Sequence, residues 1–324
     1  MNNNARILIL GGTGFVGRHV CEQLARLGVY MTVPTRRAAN AAQVQSLPRL
    51  TVVEADIHDP AQLQQLMHGH DAVVNLVAIL HGSAAAFQHA HVQLARTIAR
   101  ACTHAGVRRL VHVSALGAAP EAPSQYLRSK AGGEAVLHSA GLDLTVLRPS
   151  VIFGAEDKFM NVFAQLQAVF PVIPLAGAET RFQPVWVGDV AQAVVHCLQD
   201  FHTVDQTYEL CGPEVFTLAQ LVHNAGRWAG VNHGQGRTVF GIPYVLGWLQ
   251  AALMELAPGQ PLMSRDNLRS MKVDNVATEQ QPGLQALHIQ PASLAGVAPG
   301  YLGARGPRSA LNRLREAAGR QASR

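Results

Sequence analysis

"ARILILGGTGFVGRHV", residues 5–20, decides how the rest of the chain is read. A short apolar run ends in Gly11, Gly12, Gly14 and Gly17. The sequence then takes helical spacing through Val16, Val20, Leu24 and Leu27. Glycine tolerates a tight turn, lets backbone approach a pyrophosphate, and lets helix pack close to strand. The helix start then offers free N–H groups and a partial positive charge to phosphates. A glycine-rich turn without a ligand has the same local pattern, but a turn placed directly after the first strand favours a bound dinucleotide. Gly11, Thr13, Gly14, Phe15, Val16 and Gly17 are the candidates for that contact.

Strand and helix patterns alternate from this turn onward. "YMTVPTR", "LTVVEAD", "DAVVNLVAIL", "RRLVHVSAL" and "LTVLRPSVIF" read as strands. "PAQLQQLMHG", a long segment over residues 84–104 closed by Gly106, and "YLRSKAGGEAVLHSA" read as helices. Continuous Val/Ile/Leu strands fit a parallel sheet covered on both faces. The expected fold is α/β: a Rossmann-type doubly wound parallel sheet over residues 1–155. A smaller α/β substrate or partner domain is expected over 156–303, some of whose segments can return to the sheet. A basic tail over 304–324 closes the chain.

The net charge of +5 belongs to that tail, because Arg305 onward holds six arginines and one glutamate. The remainder carries 20 basic and 20 acidic residues, so the globular body has no basic bias. The four cysteines form no CxxC pair and no Cys/His spacing suited to zinc, which fits a reducing compartment and no metal. "MNNNARILIL" lacks a secretory pattern, and no apolar run spans a bilayer. A cytoplasmic protein, peripheral at most to the inner membrane, is expected. No aromatics interleave with the basic residues, which argues against nucleic acid.

The second strand ends in "VPTRRAAN". A carboxylate for the ribose 2′-hydroxyl of NADH is missing there, while Arg36 and Arg37 suit a 2′-phosphate. NADPH is therefore expected ahead of NADH. Asp56, followed by Ile57, either accepts from an adenine amino group or starts the "HDP" turn. Tyr126 and Lys130 form Tyr-x-x-x-Lys on a helix, which puts both on one face. With five tyrosines and three lysines in the chain, that pair is not background. An ammonium beside a phenol favours phenolate and suits proton exchange at a carbonyl. Ser114 ends the strand "LVHVS", where it either holds a substrate oxygen or caps a turn.

"GGTGFVG", "NLVA", "HVSALG", "YLRSK" and "RPSVIFG" together resemble the short-chain dehydrogenase/reductase superfamily, in its extended or atypical branch. That resemblance implies triad roles for Ser114, Tyr126 and Lys130, with Lys130 also contacting the nicotinamide ribose. It also implies an adenosine side lined by Leu76, Val77 and Ala78 and a nicotinamide side lined by Pro149 and Val151. "RPSVIFGAEDKFMNVFA", "QPVWVGDVAQAVV" and "PLMSRDNLRSMKVDNV" narrow the likeness to the NADPH-binding accessory subunits of respiratory complex I and their bacterial relatives. This narrower resemblance implies a structural cofactor and a respiratory-complex partner, whereas the intact Tyr-x-x-x-Lys fits a working reductase. A nucleotide-sugar epimerase or dehydratase, common in the extended branch, would want NAD and a polar pocket, which Arg36, Arg37 and the apolar later segments oppose.

"GIPYVLGWLQAALMELAP", residues 241–258, reads as an apolar helix. It either lines a site for a small hydrophobic substrate, presses on a partner or membrane surface, or fills the core. The tail either lies on anionic lipid or is solvated. His81 falls in a loop beside the fourth strand, and Asp189 reads as a helix N-cap.

Overall fold

The computed structural model describes residues 4–256 and 263–303, so the basic tail lies outside the described residues. Six strands, most of them followed by a helix, open the chain. Its first strands are β1 (Arg6–Leu10), β2 (Tyr30–Thr35), β3 (Leu50–Glu54), β4 (Ala72–Asn75), β5 (Arg109–Val113) and β6 (Asp143–Pro149). The helices between them are α1 (Phe15–Arg26), α2 (Pro60–Met67), α3 (Ala84–Phe87), α4 (Leu94–Ala105) and α5 (Gln125–His138). A π-helical turn, Gln88–Gln93, joins α3 to α4.

The later elements are β7 (Ile152–Phe153), α6 (Met160–Val169), β8 (Val172–Ala176), β9 (Arg181–Phe182), β10 (Val185–Trp186) and α7 (Val187–Gln199). They continue with β11 (Gln206–Leu210), β12 (Phe216–Thr217), α8 (Leu218–Trp228), β13 (Thr238–Ile242), α9 (Tyr244–Met254), α10 (Arg265–Ser270) and α11 (Leu294–Leu302). Seven strands form one sheet in the order β11-β6-β5-β4-β1-β2-β3, with every pair parallel. The order reverses between β1 and β4, which opens the crevice at the strands' carboxyl ends where ligands of such sheets bind.

Alternation along β1 explains the two covered faces. Ile7 and Ile9 pack with Val20 and Leu24 of α1 and Val190 and Val194 of α7. Leu8 and Leu10 pack with Leu63 and Met67 of α2, Leu94 and Ile98 of α4 and Leu137 of α5. Although they follow residue 155, α7 and β11 belong to this layer. β11 pairs with β6 from Gln206 opposite Thr145 to Leu210 opposite Pro149. Arg109, buried on β5, ties the return: it donates to the Asp143 carbonyl (2.6 Å), Thr145 Oγ1 (2.8 Å) and Thr203 Oγ1 (3.0 Å). The remaining segments build a second apolar cluster, with Ile173 and Leu175 of β8 against Leu221, Val222 and Ala225 of α8 and Ala298 of α11.

Several local expectations change. The strand read over 71–80 stops at Asn75, because the Asn75 side chain accepts from Val77 N–H and turns the chain (3.2 Å). The strand read over 144–153 is interrupted after Pro149: Ser150 N–H still donates to the Leu210 carbonyl (3.0 Å), but the Ser150 hydroxyl and Val151 N–H both turn to Asn275 Oδ1. Asp189 is not the N-cap of α7; it lies inside the first turn and accepts from Ala292 N–H (2.8 Å), pinning the approach to α11. The apolar helix α9 is not an ordinary core helix. It packs through its small residues Gly247 and Ala251 and leaves Val245, Leu246, Leu249 and Leu253 exposed. Among the described residues no helix is long and apolar enough to cross a membrane.

Candidate active site at the sheet's carboxyl edge

The glycine turn has the geometry its sequence called for. Gly11 has φ +85°, and a Cβ there would lie 3.2 Å from the Leu76 carbonyl carbon. The turn and the segment after β4 therefore face each other across the switch point. A Cβ on Gly17 would lie 2.2 Å from the Gly11 carbonyl oxygen, so only glycine lets α1 start this close to β1. Gly14 is exposed and is the N-cap of α1, with no side chain capping the first-turn N–H groups. These groups are the donors an anion at a helix N-terminus uses. Thr13, Phe15 and Val16 are half-buried around them.

At the far end of the crevice Arg36 and Arg37 are exposed at the end of β2, and among the described residues neither makes an ion pair. Asp56 sits beside them after β3; its Oδ1 accepts from His58 N–H (3.0 Å), shaping the turn. His58 stacks on His89 with ring centroids 4.3 Å apart, and burial, His89 and Arg36 hold its pKa down. Ile57 packs against the α2-side core. Leu76, Val77 and Ala78 run between this rim and the glycines. Their path is set by Leu76 N–H on the Leu10 carbonyl (2.9 Å) and by Asn75.

The candidate proton-handling residues lie over β5 and α5. Ser114 is buried, and its Oγ has no partner among the described residues. Its N–H donates to the Leu147 carbonyl (2.7 Å), which fixes the residue at the strand's end. Tyr126 packs beside Ala115, Ala122 and Leu127. Lys130 is buried and donates from Nζ to the Val113 carbonyl (2.9 Å). Burial, opposed by Glu134, pushes its pKa down to about 8. Burial also pushes the Tyr126 phenol up to about 12. The spacing suggested a lysine that favours phenolate. In the structure desolvation dominates, and the phenol is neutral at physiological pH, ready to donate. Pro149 and Val151 border the same edge. The Pro149 carbonyl accepts from Leu116 N–H (2.9 Å), and Val151 N–H donates to Asn275 Oδ1 (3.2 Å).

Three residues that shape the site were not singled out from the sequence. Asn75 turns the adenosine-side loop, and its Nδ2 donates to buried His112 (3.1 Å). The "NLVA" motif contained that asparagine. His91 packs edge-on to Tyr126 at 5.7 Å. Asp266, from α10, caps α5 by accepting from Gln125 N–H (2.8 Å) and Tyr126 N–H (3.0 Å). No spacing in the sequence announces a partner 140 residues away. His81 is half-buried, and its pKa is lowered by burial and Lys158.

The cradle and the unpartnered Ser114 fit a bound dinucleotide with a substrate oxygen beside it. A family model described as NAD(P)H-binding matches residues 11–201. The mitochondrial NADH dehydrogenase [ubiquinone] 1 alpha subcomplex subunit 9 of Mus musculus is 33% identical over 296 residues, covering 88% of this chain and 76% of its own. The ceramide reductase of Caulobacter vibrioides is 30% identical over 190 residues, 58% of this chain and 59% of its own. The Escherichia coli NADPH-dependent quinone oxidoreductase QOR2, solved with NADPH, superposes with a TM-score of 0.73 at 20% identity, over 91% of this chain and 99% of that one.

Proposed function

The chain belongs to the NAD(P)H-binding family, and on that premise we propose that it is an NADPH-dependent oxidoreductase of the extended short-chain dehydrogenase type, reducing a hydrophobic carbonyl or quinone-type substrate. The observation that carries this reading is Ser114, a buried hydroxyl without a partner among the described residues, on the edge where α5 brings Tyr126 and Lys130. A buried donor left unpaired costs stability, so its retention points to an oxygen that arrives with substrate.

Reduced nicotinamide, when bound, supplies hydride. Gly11, Gly14 and Gly17 with the α1 N–H groups hold the pyrophosphate. Arg36 and Arg37 hold the 2′-phosphate, and for want of a carboxylate at the end of β2 NADH is the weaker candidate. Asp56, Ile57 and Leu76 to Ala78 line the adenosine, while Pro149 and Val151 line the nicotinamide. Ser114 Oγ donates to the substrate oxygen. Tyr126 gives that oxygen its proton, and Lys130 directs its remaining N–H donors at the ribose. The named substrate of the Caulobacter relative supports a hydrophobic carbonyl.

A second reading is favoured by the likeness to a complex I subunit along 88% of the chain and by the exposed apolar side of α9. In it the protein is a cofactor-bearing accessory or assembly subunit with little turnover, held by a respiratory-complex or membrane-surface partner on the cytoplasmic side of the inner membrane.

Single-turnover loss of NADPH absorbance separates the two, with a short-chain ubiquinone and a long-chain aldehyde as oxidants. Loss in wild type that slows at least about hundredfold in Tyr126→Phe supports the reductase. NADPH that stays bound and reduced with both oxidants overturns it. Recovery of respiratory subunits with the protein from detergent-solubilised membranes would then support the accessory reading.

A further inference from the structure

We propose that His91 is a positioning residue that locks the loop after β4, on the cofactor side, to the helix turn carrying Tyr126. The proposal rests on the dinucleotide reading above, and it concerns how two parts of that site are held in register.

The π turn Gln88–Gln93 is the first support. A π turn carries an extra residue and recurs where a helix must re-aim a side chain. Here the turn meets α5 backbone to backbone. A Cβ on Gly133 would lie 2.6 Å from the His91 carbonyl oxygen, and one on Gly132 3.1 Å from Val92 Cγ2. "AGGE" in α5 is thus the crossing point, and it seats the His91 ring beside Tyr126 at an interplanar angle of 78°. Phe87 closes the cluster, 6.1 Å from the Tyr126 ring.

The second support is a hydrogen-bond chain whose direction is fixed. Ile79 N–H can only donate, so it gives its proton to His91 Nε2 (3.2 Å). The neutral ring therefore carries its proton on Nδ1 and donates to Ser129 Oγ (2.7 Å). Ser129 in turn donates to the Tyr126 carbonyl (2.7 Å). Burial and the Lys130 charge push the His91 pKa down to about 3, so the neutral tautomer persists at physiological pH. Each member is satisfied, and each link is used once. Ile79 directly follows Leu76, Val77 and Ala78, so displacement of that loop is passed to the Tyr126 turn through one buried ring.

Amide hydrogen exchange with and without NADPH tests this in wild type, His91→Phe, His91→Gln and Ser129→Ala. Phenylalanine keeps the aromatic packing and removes both hydrogen bonds. In the absence of NADPH its Ile79 amide should exchange at least about tenfold faster, and its NADPH affinity should fall about tenfold. Glutamine, with an acceptor and a donor, should restore part of each. In Ser129→Ala, Ile79 should stay protected while protection of residues 125–129 by NADPH disappears. Unchanged Ile79 exchange in His91→Phe overturns the lock. Should that variant fail to fold, retained NADPH protection at 125–129 in Ser129→Ala overturns it instead. Wild type that binds no NADPH overturns the cofactor reading alone, because the comparison without NADPH still decides the lock.

Discussion

Gly14→Ala and Gly17→Ala stand three residues apart in one turn, yet the structure assigns them opposite consequences. At Gly17 the added methyl would lie 2.2 Å from the Gly11 carbonyl oxygen and 2.6 Å from Gly12 Cα, both backbone atoms. Relief needs a shift of about 1 Å in the strand-to-helix junction, an overpacking cost of about 3 kcal/mol. Helix propensity returns about 1 kcal/mol of that. The net loss of about 2 kcal/mol lowers Tm by roughly 3 °C. At Gly14 the backbone has φ −79°, open to alanine, and the added methyl would meet the Gly11 oxygen at 3.2 Å. That change costs about 1 kcal/mol as a poorer N-cap. Its methyl stands among the free N–H groups of α1, where a pyrophosphate would sit, and should weaken NADPH binding at least about tenfold. Thermal melts without ligand and fluorescence titration with NADPH read the two effects separately. Gly14→Ala that binds NADPH within about twofold of wild type would refute the assignment of this turn to the pyrophosphate.

Arg36→Ala combined with Arg37→Ala should weaken NADPH at least about tenfold and leave NADH within about twofold, measured by parallel titrations; equal losses for both would remove the 2′-phosphate assignment. His91 and His112 are both held neutral by burial, so on acidification the unfolded chain takes up protons that the folded chain refuses, and stability falls with pH. From 6.5 to about 3 His91 alone contributes about 5 kcal/mol of this loss, and urea midpoints that do not change between pH 6.5 and 4 would contradict it. For Lys130 the sign is set by the drop from 10.5 to about 8: its buried charge costs about 3 kcal/mol below pH 8, and stability climbs as pH rises from 8 to 10.5. Lys130→Met should therefore melt higher without ligand at pH 7, lose that climb, and bind NADPH more weakly; a lower Tm in the variant would show that the ammonium stabilises the fold.

Sequence legibility followed the range of the interaction that fixes each feature. The glycine turn, the β/α alternation and the Tyr-x-x-x-Lys pair are local patterns, and the structure keeps them. The return of α7 and β11 to the sheet depends on Arg109 reaching Thr203, 94 residues away, and no periodicity encodes it. The π turn is hidden in the sequence because one extra residue in a long apolar repeat leaves the 3.6-residue period nearly intact. His91 was one of fifteen histidines, separated from the rest only by a serine and a loop amide that folding brings to it. The role first read for Lys130 illustrates a different limit. Spacing placed it on the tyrosine's face, but how far burial raises a phenol depends on what surrounds both groups in three dimensions.

Sparsely partnered polar groups at the end of β5 favour the ligand site proposed there. Glu134 is the carboxylate nearest in sequence to Lys130, but both its oxygens are bonded to Arg148. That leaves a buried ammonium with the Val113 carbonyl as its hydrogen-bonded acceptor. One residue past Val113, the Ser114 hydroxyl has no partner among the described residues. Arg109, at the opposite end of the same strand, is also buried and cationic, yet its two terminal nitrogens donate to the Asp143 carbonyl, Thr145 and Thr203, and its Nε alone has no partner among the described residues. Packing alone would favour methionine at 130 and alanine at 114. A strand that spreads its charge over several acceptors at one end and offers a single one at the other fits the ligand proposed for the carboxyl edge, which the glycine turn and the Tyr126 phenol also border.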